Sequence, residues 1–342
     1  MTITDIREKI ENISPENIKL FFITRVLKEN LRKTSKVMDK YLFKVYQIEI
    51  DTEIRNYLFD LSKEQLDIVI KKDYELLEYD VISDDTEHLF TYAMTNNAMS
   101  FADVVYNQLS GNPPKVTSIE EILKQEELWA YCVGFYATET QKWIYSFRKI
   151  LPSKVVIEES SNPEVMKSIR FIRAKFDTRS QKLEMLHGET INLDKQIDCL
   201  FYEEVFYVIR KGNFEQIIGL EAEFKQEALN VAQALEESEM ILGVEILREQ
   251  IEENPALHKK LMRISKIKNF NSLNEEKIGK MNEICQKYGS SLKINDGKIT
   301  IEEPKDIDQV LKILADYYKV GEVSGIPYGT FSGKELHPQA IS

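Results

Sequence analysis

Several things that would narrow this protein's function at once are missing from its sequence. No apolar run approaches the roughly 18 residues that span a bilayer, so no membrane-spanning helix is expected. The first residues, MTITDIREKIENI, carry acids at an amphipathic period rather than a basic patch ahead of an apolar stretch, which argues against a secretory signal. Cysteine is scarce. Cys132, Cys199 and Cys285 are far apart and odd in number, the pattern of reduced thiols in a cytoplasmic protein. There are 4 histidines, His88, His187, His258 and His337, with no HxxxH spacing and no Cys at ligand distance, so no zinc site is expected. Neither GxxxxGKS/T nor GxGxxG occurs, which removes the common phosphate-cradling loops. No serine flanked by glycines suggests a nucleophile elbow. No cofactor is expected. A net positive charge is lacking too: the formal total is −12, which speaks against a protein that simply coats DNA.

What is present describes an ordinary globular chain. Hydrophobic residues make up 43% and charged residues 30%, too apolar for disorder. A chain of 342 residues can bury about three quarters of its unfolded surface, enough for a large core. Ile6, Ile10 and Ile13 give the first segment a helical face that Ser14-Pro15 stops. Ile18 to Val26 is dense in aromatic and β-branched residues and reads as a buried strand. A helix competes there, because Leu20, Ile23, Leu27 and Leu31 also share one helical face. A second strand is expected over Tyr41–Ile50, with helices around Asp51–Val69, Ser100–Leu109 and Ser118–Glu127.

The clearest β signal follows. Trp129–Ala137, Lys142–Ile150, Lys154–Glu158, Ser168–Phe176, Leu183–His187, Ile197–Tyr202 and Val205–Arg210 are successive strand candidates. Their close turns imply antiparallel pairing, since parallel neighbours need long crossovers. From Phe214 the period becomes helical, with one long helix expected over Glu221–Leu242 and a break at Asn254-Pro255. The tail predicts a helix from Glu275, a hairpin of Leu292–Ile294 with Lys298–Ile301 around Asp296-Gly297, and a helix after Pro304. The class is α+β: a central, mostly antiparallel sheet with flanking helices, and a helical C-terminal part with a small hairpin. The expected division is an α+β body over residues 1–240 and a helical region over 241–342.

Charge is segregated along the chain. Residues 142–182 hold ten Lys or Arg against four acids, residues 19–44 hold eight against two, and His258 to Lys268 holds five with none. A phosphate backbone requires local neutralisation, not a positive total, because fields are screened beyond about 8 Å at physiological salt. Arg148, Lys149 and Lys154 flank the Leu151-Pro152-Ser153 turn and are expected to project from a sheet end. By period two Arg173 and Lys175 share a face, with Arg170 on the same candidate strand and Arg179 and Lys182 in or beside the next turn. Each cluster can equally be the solvated face of an ordinary surface. The acidic stretch Glu221–Glu253 could dock a basic partner. One grouping hints at a metal-dependent nuclease, Asp198 with Glu223 and Lys225, but Glu223 falls in a helical pattern rather than on a strand.

Three stretches resemble a known family. "GFYATETQKWIYSFRKILPSK", within Trp129–Lys154, is similar to the KwaB-like subunit family of the Kiwa anti-phage defence system. So are "IDCLFYEEVFYVIRKGNFEQIIGLEAEFKQEA", from Ile197 to Ala228, and "LADYYKVGEVSGIPYGTFSGKE", from Leu314 to Glu335. The resemblance implies a bacterial defence protein that engages DNA without marked sequence preference beside a separate membrane-spanning subunit. It also implies self-association, for which Glu221–Lys268 offers an oligomer face, and a cytoplasmic place at the inner side of the membrane through the partner. By position, Arg148, Lys149 and Lys154 and then Arg210 and Lys211 match the family's pattern most closely. The DNA-contacting set expected from charge and resemblance together is Arg148, Lys149, Lys154, Arg170, Arg173, Lys175, Arg179, Lys182, Arg210 and Lys211. The competing readings are an adaptor whose basic and acidic patches pair within an oligomer, and a metal-dependent nuclease.

Overall fold

A computed structural model of the chain describes residues 1–28, 41–81, 83, 88–94, 100–117, 122, 126–150, 174–177, 182–185, 193, 196–267 and 269–331. These fall into two compact units. The first comprises residues 1–28, 41–73 and 93–217, and the second includes 74–92 and 218–342.

The first unit begins with helix α1 (Ile3–Glu11). Thr2 caps it by accepting from the Asp5 amide, while the Asp5 carboxylate accepts from the Thr2 amide, a reciprocal capping box. Ile3, Ile6 and Ile10 face inward. The segment that could have been helix or strand is strand β1 (Ile18–Leu27). Its β-branched and aromatic residues pair on both sides, with β2 (Tyr41–Ile48) and β6 (Glu127–Ala137). Helix α2 (Thr52–Ile70), capped by Asp51, joins β2 to the rest and is tied to α1 by an Arg7–Asp67 ion pair of 2.9 Å. Strands β7 (Lys142–Lys149), β10 (Cys199–Tyr202) and β11 (Val205–Val208) extend the sheet, and β5 (Lys115–Val116) closes the far edge. Within this unit the order is β11–β10–β7–β6–β1–β2–β5, antiparallel throughout except for β2 beside β5. The alternation of strand side chains sorts the core. Phe43, Phe147, Phe201 and Phe206 turn to one face, where they meet Phe101 of α3 (Ser100–Asp103), Tyr106 and Phe214 of α4 (Lys211–Ile218). On the other face α1 lays Lys9 over the Tyr202 ring.

The helix expected over Ser100–Leu109 is helical but changes character: Val104–Gln108 winds as a π-helix. Its last residue explains the widening. The Gln108 amide accepts from Val45 N and donates to Phe43 O, both at 2.9 Å, so the side chain satisfies backbone groups of β2. The helix expected to run to Glu127 cannot do so, because Glu127 already pairs as the first residue of β6. Its remainder lies largely outside the described residues, as does the strand expected at Lys154–Glu158. A separate antiparallel pair, β8 (Ala174–Asp177) with β9 (Lys182–Met185), carries parts of two predicted strands.

The second unit packs helices around its own core. It also holds a parallel pair, β3 (Glu75–Glu78) with β4 (His88–Ala93, whose last residue belongs to the first unit), that no sequence pattern suggested. The single long helix expected over Glu221–Leu242 is overturned. Helix α5 (Glu221–Glu237) ends early, and Ile241–Leu242 forms strand β12, parallel to β14 (Lys298–Thr300). Pairing with β14 sends Ile241 into the core beside Ile299, a burial that a continued solvent-flanked helix could not offer it. Helix α6 (Val244–Glu253) and helix α7 (Ala256–Ile267) divide at Asn254-Pro255 as the sequence implies, followed by α8 (Glu275–Lys287) and α9 (Pro304–Leu314). The hairpin of β13 (Ile294–Asn295) with β14 turns on Asp296 and Gly297, at φ 48 and 74, the primed turn that matches strand twist. A second hairpin, β15 (Tyr318–Val320) with β16 (Pro327–Gly329), ends the described chain. The α+β class with a mostly antiparallel sheet and a helical, hairpin-bearing C-terminal part is therefore the observed one.

Between β12 and α6 the backbone requires a glycine. Gly243 has φ +78, and a Cβ there would stand 1.9 Å from Ile301 O. Gly243→Ala should lower the unfolding free energy by about 1–3 kcal/mol through this backbone clash, read as a shifted urea midpoint; an unchanged midpoint would contradict the close approach.

Candidate functional site at one end of the sheet

Antiparallel order brings the end of β1, the starts of β2, β6 and β10 and the ends of β7 and β11 to one edge of the first unit's sheet. Two of the three basic stretches singled out in the sequence continue from strand ends at this edge. One connects Lys28 to Tyr41, and the other runs from Ile150 toward Gln196.

Trp129 organises the middle of the edge. Ala130 pairs with Ile23 but Leu128 pairs with Thr24, so Trp129 is the extra residue of a β-bulge, a device that re-aims a side chain. The Arg25 guanidinium carbon lies 3.5 Å from the indole centroid and Lys149 Nζ lies 3.6 Å from it, so two cations flank one ring. The indole N–H donates to Ile217 O at 3.2 Å, fastening the last turn of α4. Arg25 also forks onto Glu127 at 2.7 and 3.1 Å. Beside it, Glu126 accepts from Thr24 and Lys44, each at 2.5 Å, and from the Tyr46 hydroxyl at 3.1 Å. Burial opposes ionisation of Glu126, but these donors outweigh it and hold the carboxyl below its usual range. Burial and the same carboxylate push the Tyr46 phenol up to about 12.

Arg148 and Lys149, expected to project from a sheet end, are instead buried, at 8% and 4% exposure. The reason is Asp198, whose exposure is 0%. A buried carboxylate requires both a cation and further donors. Arg148 supplies the charge at 2.8 and 3.0 Å, the Lys149 amide donates at 2.7 Å, and Asn213 Nδ2 at 2.8 Å. Lys149 turns its ammonium onto Trp129 O and Ile150 O, at 3.1 and 2.7 Å. Lys211 is also buried, at 5%. Arg210 is exposed. Its amide donates to Asp198 O at 2.9 Å and its guanidinium donates to Gln196 Oε1, the oxygen that also accepts from Arg148 at 2.7 Å. Lys154, Arg170, Arg173 and Arg179 lie outside the described residues. Lys175 stands opposite Glu184 in the β8–β9 register, and Lys182 opposite Asp177.

The other charge clusters are largely taken up. In α7, Lys260 pairs with Asp308 and Lys266 with Asp80, while Arg263 is buried and donates to Ala315 O at 3.1 Å. Of the nuclease grouping, Asp198 has both oxygens occupied within the first unit, and Lys225 pairs with Glu252 at 2.5 Å within the second. Glu223 lies on helix α5, where burial raises its carboxyl pKa. Among the described residues no group of His, Cys, Asp and Glu is disposed to hold a metal ion. His258 is buried, with Nε2 2.9 Å from Ile251 O. All three thiols are buried, and burial raises each well above or above its ordinary pKa. Sequence reasoning did not single out Gln196, Asn213 or Trp129, because polar and aromatic side chains at strand ends carry no periodic signal.

A family model described as Kiwa protein KwaB-like matches residues 125–324, which include the bulge, the Asp198 cluster and most of the second unit. The chain belongs to the KwaB-like family. It is thus a KwaB-like subunit of the Kiwa anti-phage defence system. No curated protein and no solved structure matches it. No helix among the described residues of this KwaB-like chain is long and apolar enough to cross a membrane.

Two measurements test this geometry. Asp198→Asn leaves the Arg148 cation without its carboxylate and should reduce stability by about 3 kcal/mol or more in urea unfolding; a loss below about 1 kcal/mol would mean that the pair is not buried as described. The lowered Glu126 pKa stabilises the fold above the ordinary glutamate range, and this contribution disappears as pH falls through the lowered folded value. Acid titration of stability for Glu126→Gln should therefore be flatter below pH about 4.3 than for the parent. Identical slopes would remove the assignment.

Proposed function

We propose that this KwaB-like chain is the DNA-binding subunit of its defence system, holding duplex DNA without base selectivity beside a separate membrane-spanning partner. Family membership supports the defence role and the existence of a partner. The observation that carries the DNA reading is the common edge of the sheet, where the connections holding parts of two basic stretches begin and end and where Arg210 stands exposed. Contacts by Lys and Arg to phosphates position a duplex without reading its sequence. Arg148, Lys149 and Lys211 act inside the protein in this reading. The contacting set becomes Arg210 with Lys154, Arg170, Arg173, Lys175, Arg179 and Lys182. The protein works in the cytoplasm, at the inner face of the membrane through its partner, and as a homo-oligomer with Glu221–Lys268 as the self-associating surface.

A second reading, an adaptor with no affinity for DNA, has one specific observation in its favour. Arg25, Lys44, Arg148, Lys260 and Lys266 each already hold a carboxylate of this chain. Salt-dependent dissociation of a pure oligomer that never binds DNA would select it.

The test is a fluorescence-anisotropy titration of a duplex at several salt concentrations. If about six phosphates are neutralised, affinity should fall by roughly three orders of magnitude between 50 and 200 mM salt. Reversal of Arg173, Lys175, Arg179 and Arg210 to Glu should abolish binding with the unfolding midpoint retained. Arg148 is unsuitable for reversal, because Glu in its place would face buried Asp198. Undiminished binding by the fourfold variant would overturn the assignment.

A further inference from the structure

Arg210 is held differently from the other charged pairs along this edge. Arg25, Lys44 and Arg148 each meet a carboxylate. The Arg210 guanidinium is instead held by the neutral amide oxygen of Gln196. We infer that Arg210 is a preset phosphodiester contact and that Gln196 is its positioning residue, fixing the guanidinium without neutralising it.

Both ends of Arg210 are anchored on the same buried cluster. Its amide donates to Asp198 O, and its side chain reaches Gln196, whose oxygen is held from the other side by Arg148. Arg148 cannot turn outward, because Asp198 holds it at 2.8 Å with 0% exposure of the carboxylate. The relay Asp198–Arg148–Gln196–Arg210 therefore runs from the core to the surface. Arg148 meets the carboxylate of Asp198, whereas the exposed Arg210 meets a neutral amide oxygen that leaves its charge in place. A planar guanidinium with donors left over suits a phosphate oxygen pair, and holding it in place beforehand removes part of the ordering entropy of binding.

This inference rests on the DNA reading, and salt dependence separates the two. Full-length parent, Arg210→Gln, Gln196→Glu and Gln196→Ala would be titrated with a 30-base-pair duplex between 50 and 200 mM salt, with urea unfolding of each as a check of the fold. Arg210→Gln should reduce the slope of log affinity against log salt by about one phosphate contact. Gln196→Glu should reduce it equally, because the new carboxylate takes the Arg210 charge. Gln196→Ala keeps the charge and should keep the slope, while affinity drops a few-fold at every salt concentration. A parental slope in Arg210→Gln overturns the phosphate contact. A reduced slope in Arg210→Gln with parental slope and affinity in both Gln196 variants overturns the positioning role. Should Gln196→Glu fail to fold, Arg210→Gln and Gln196→Ala decide the matter alone. A parent protein that binds no duplex at any salt concentration overturns the DNA reading and this inference with it.

Discussion

The ion pair between Arg148 and Asp198 is the constraint on which this end of the protein depends. A carboxylate fully removed from water is tolerable only when charge and hydrogen bonds replace hydration. Here the replacements come from two separate pieces of chain, the last residues of β7 and the first turn of α4, and meet the carboxylate on the segment entering β10. Asp198 also uses its backbone, donating to Phe147 and accepting from the amides of Ile209 and Arg210. One residue thus determines where β7 stops, how β10 and β11 pair, and where α4 begins. Neighbouring Trp129 does similar work with its ring, set between Arg25 and Lys149 and tied to the far end of α4.

This arrangement changes what the charge pattern means. Along the sequence the stretch 142–182 is strongly basic, yet two of its cations face inward. Their acceptors, Asp198 for Arg148 and the carbonyls of Trp129 and Ile150 for Lys149, lie up to 50 positions away or on the backbone, where a local count does not register them. Arg25 and Glu127 meet across 102 positions in the same way. Basic balance in a window is a statement about composition, and only the pairing decides which charges remain for a partner. In a chain of net −12 that distinction is decisive: Arg210 gains weight because its neighbour is an amide, while the basic run of α7 loses weight because Asp80 and Asp308 claim two of its lysines.

The regular elements were legible because each has a local cause. Density of aromatic and β-branched residues marks β1, and aromatic-rich apolar segments joined by a close turn mark β6 and β7. Asp296-Gly297 marks a hairpin, and Asn254-Pro255 divides α6 from α7. The misread elements have non-local causes. Strand β12 exists because Ile241 finds Ile299 across the second unit, which outweighs the helical period running into it. The π-helical turn at Val104–Gln108 follows from an amide engaging β2, more than 60 residues earlier. β3 and β4 are short, and neither alternates cleanly.

The sequence alone determined the α+β class, the antiparallel core strands, most helix boundaries and the family likeness, because these follow from periodicity, turn chemistry and residue order. It also determined that charge is unevenly distributed. The tertiary structure decided which cations are internal and which face outward, since that depends on carboxylates and carbonyls brought together from distant positions. Arg148 and Arg210 look alike in the sequence; the fold encloses one against Asp198 and leaves the other at the surface on Gln196.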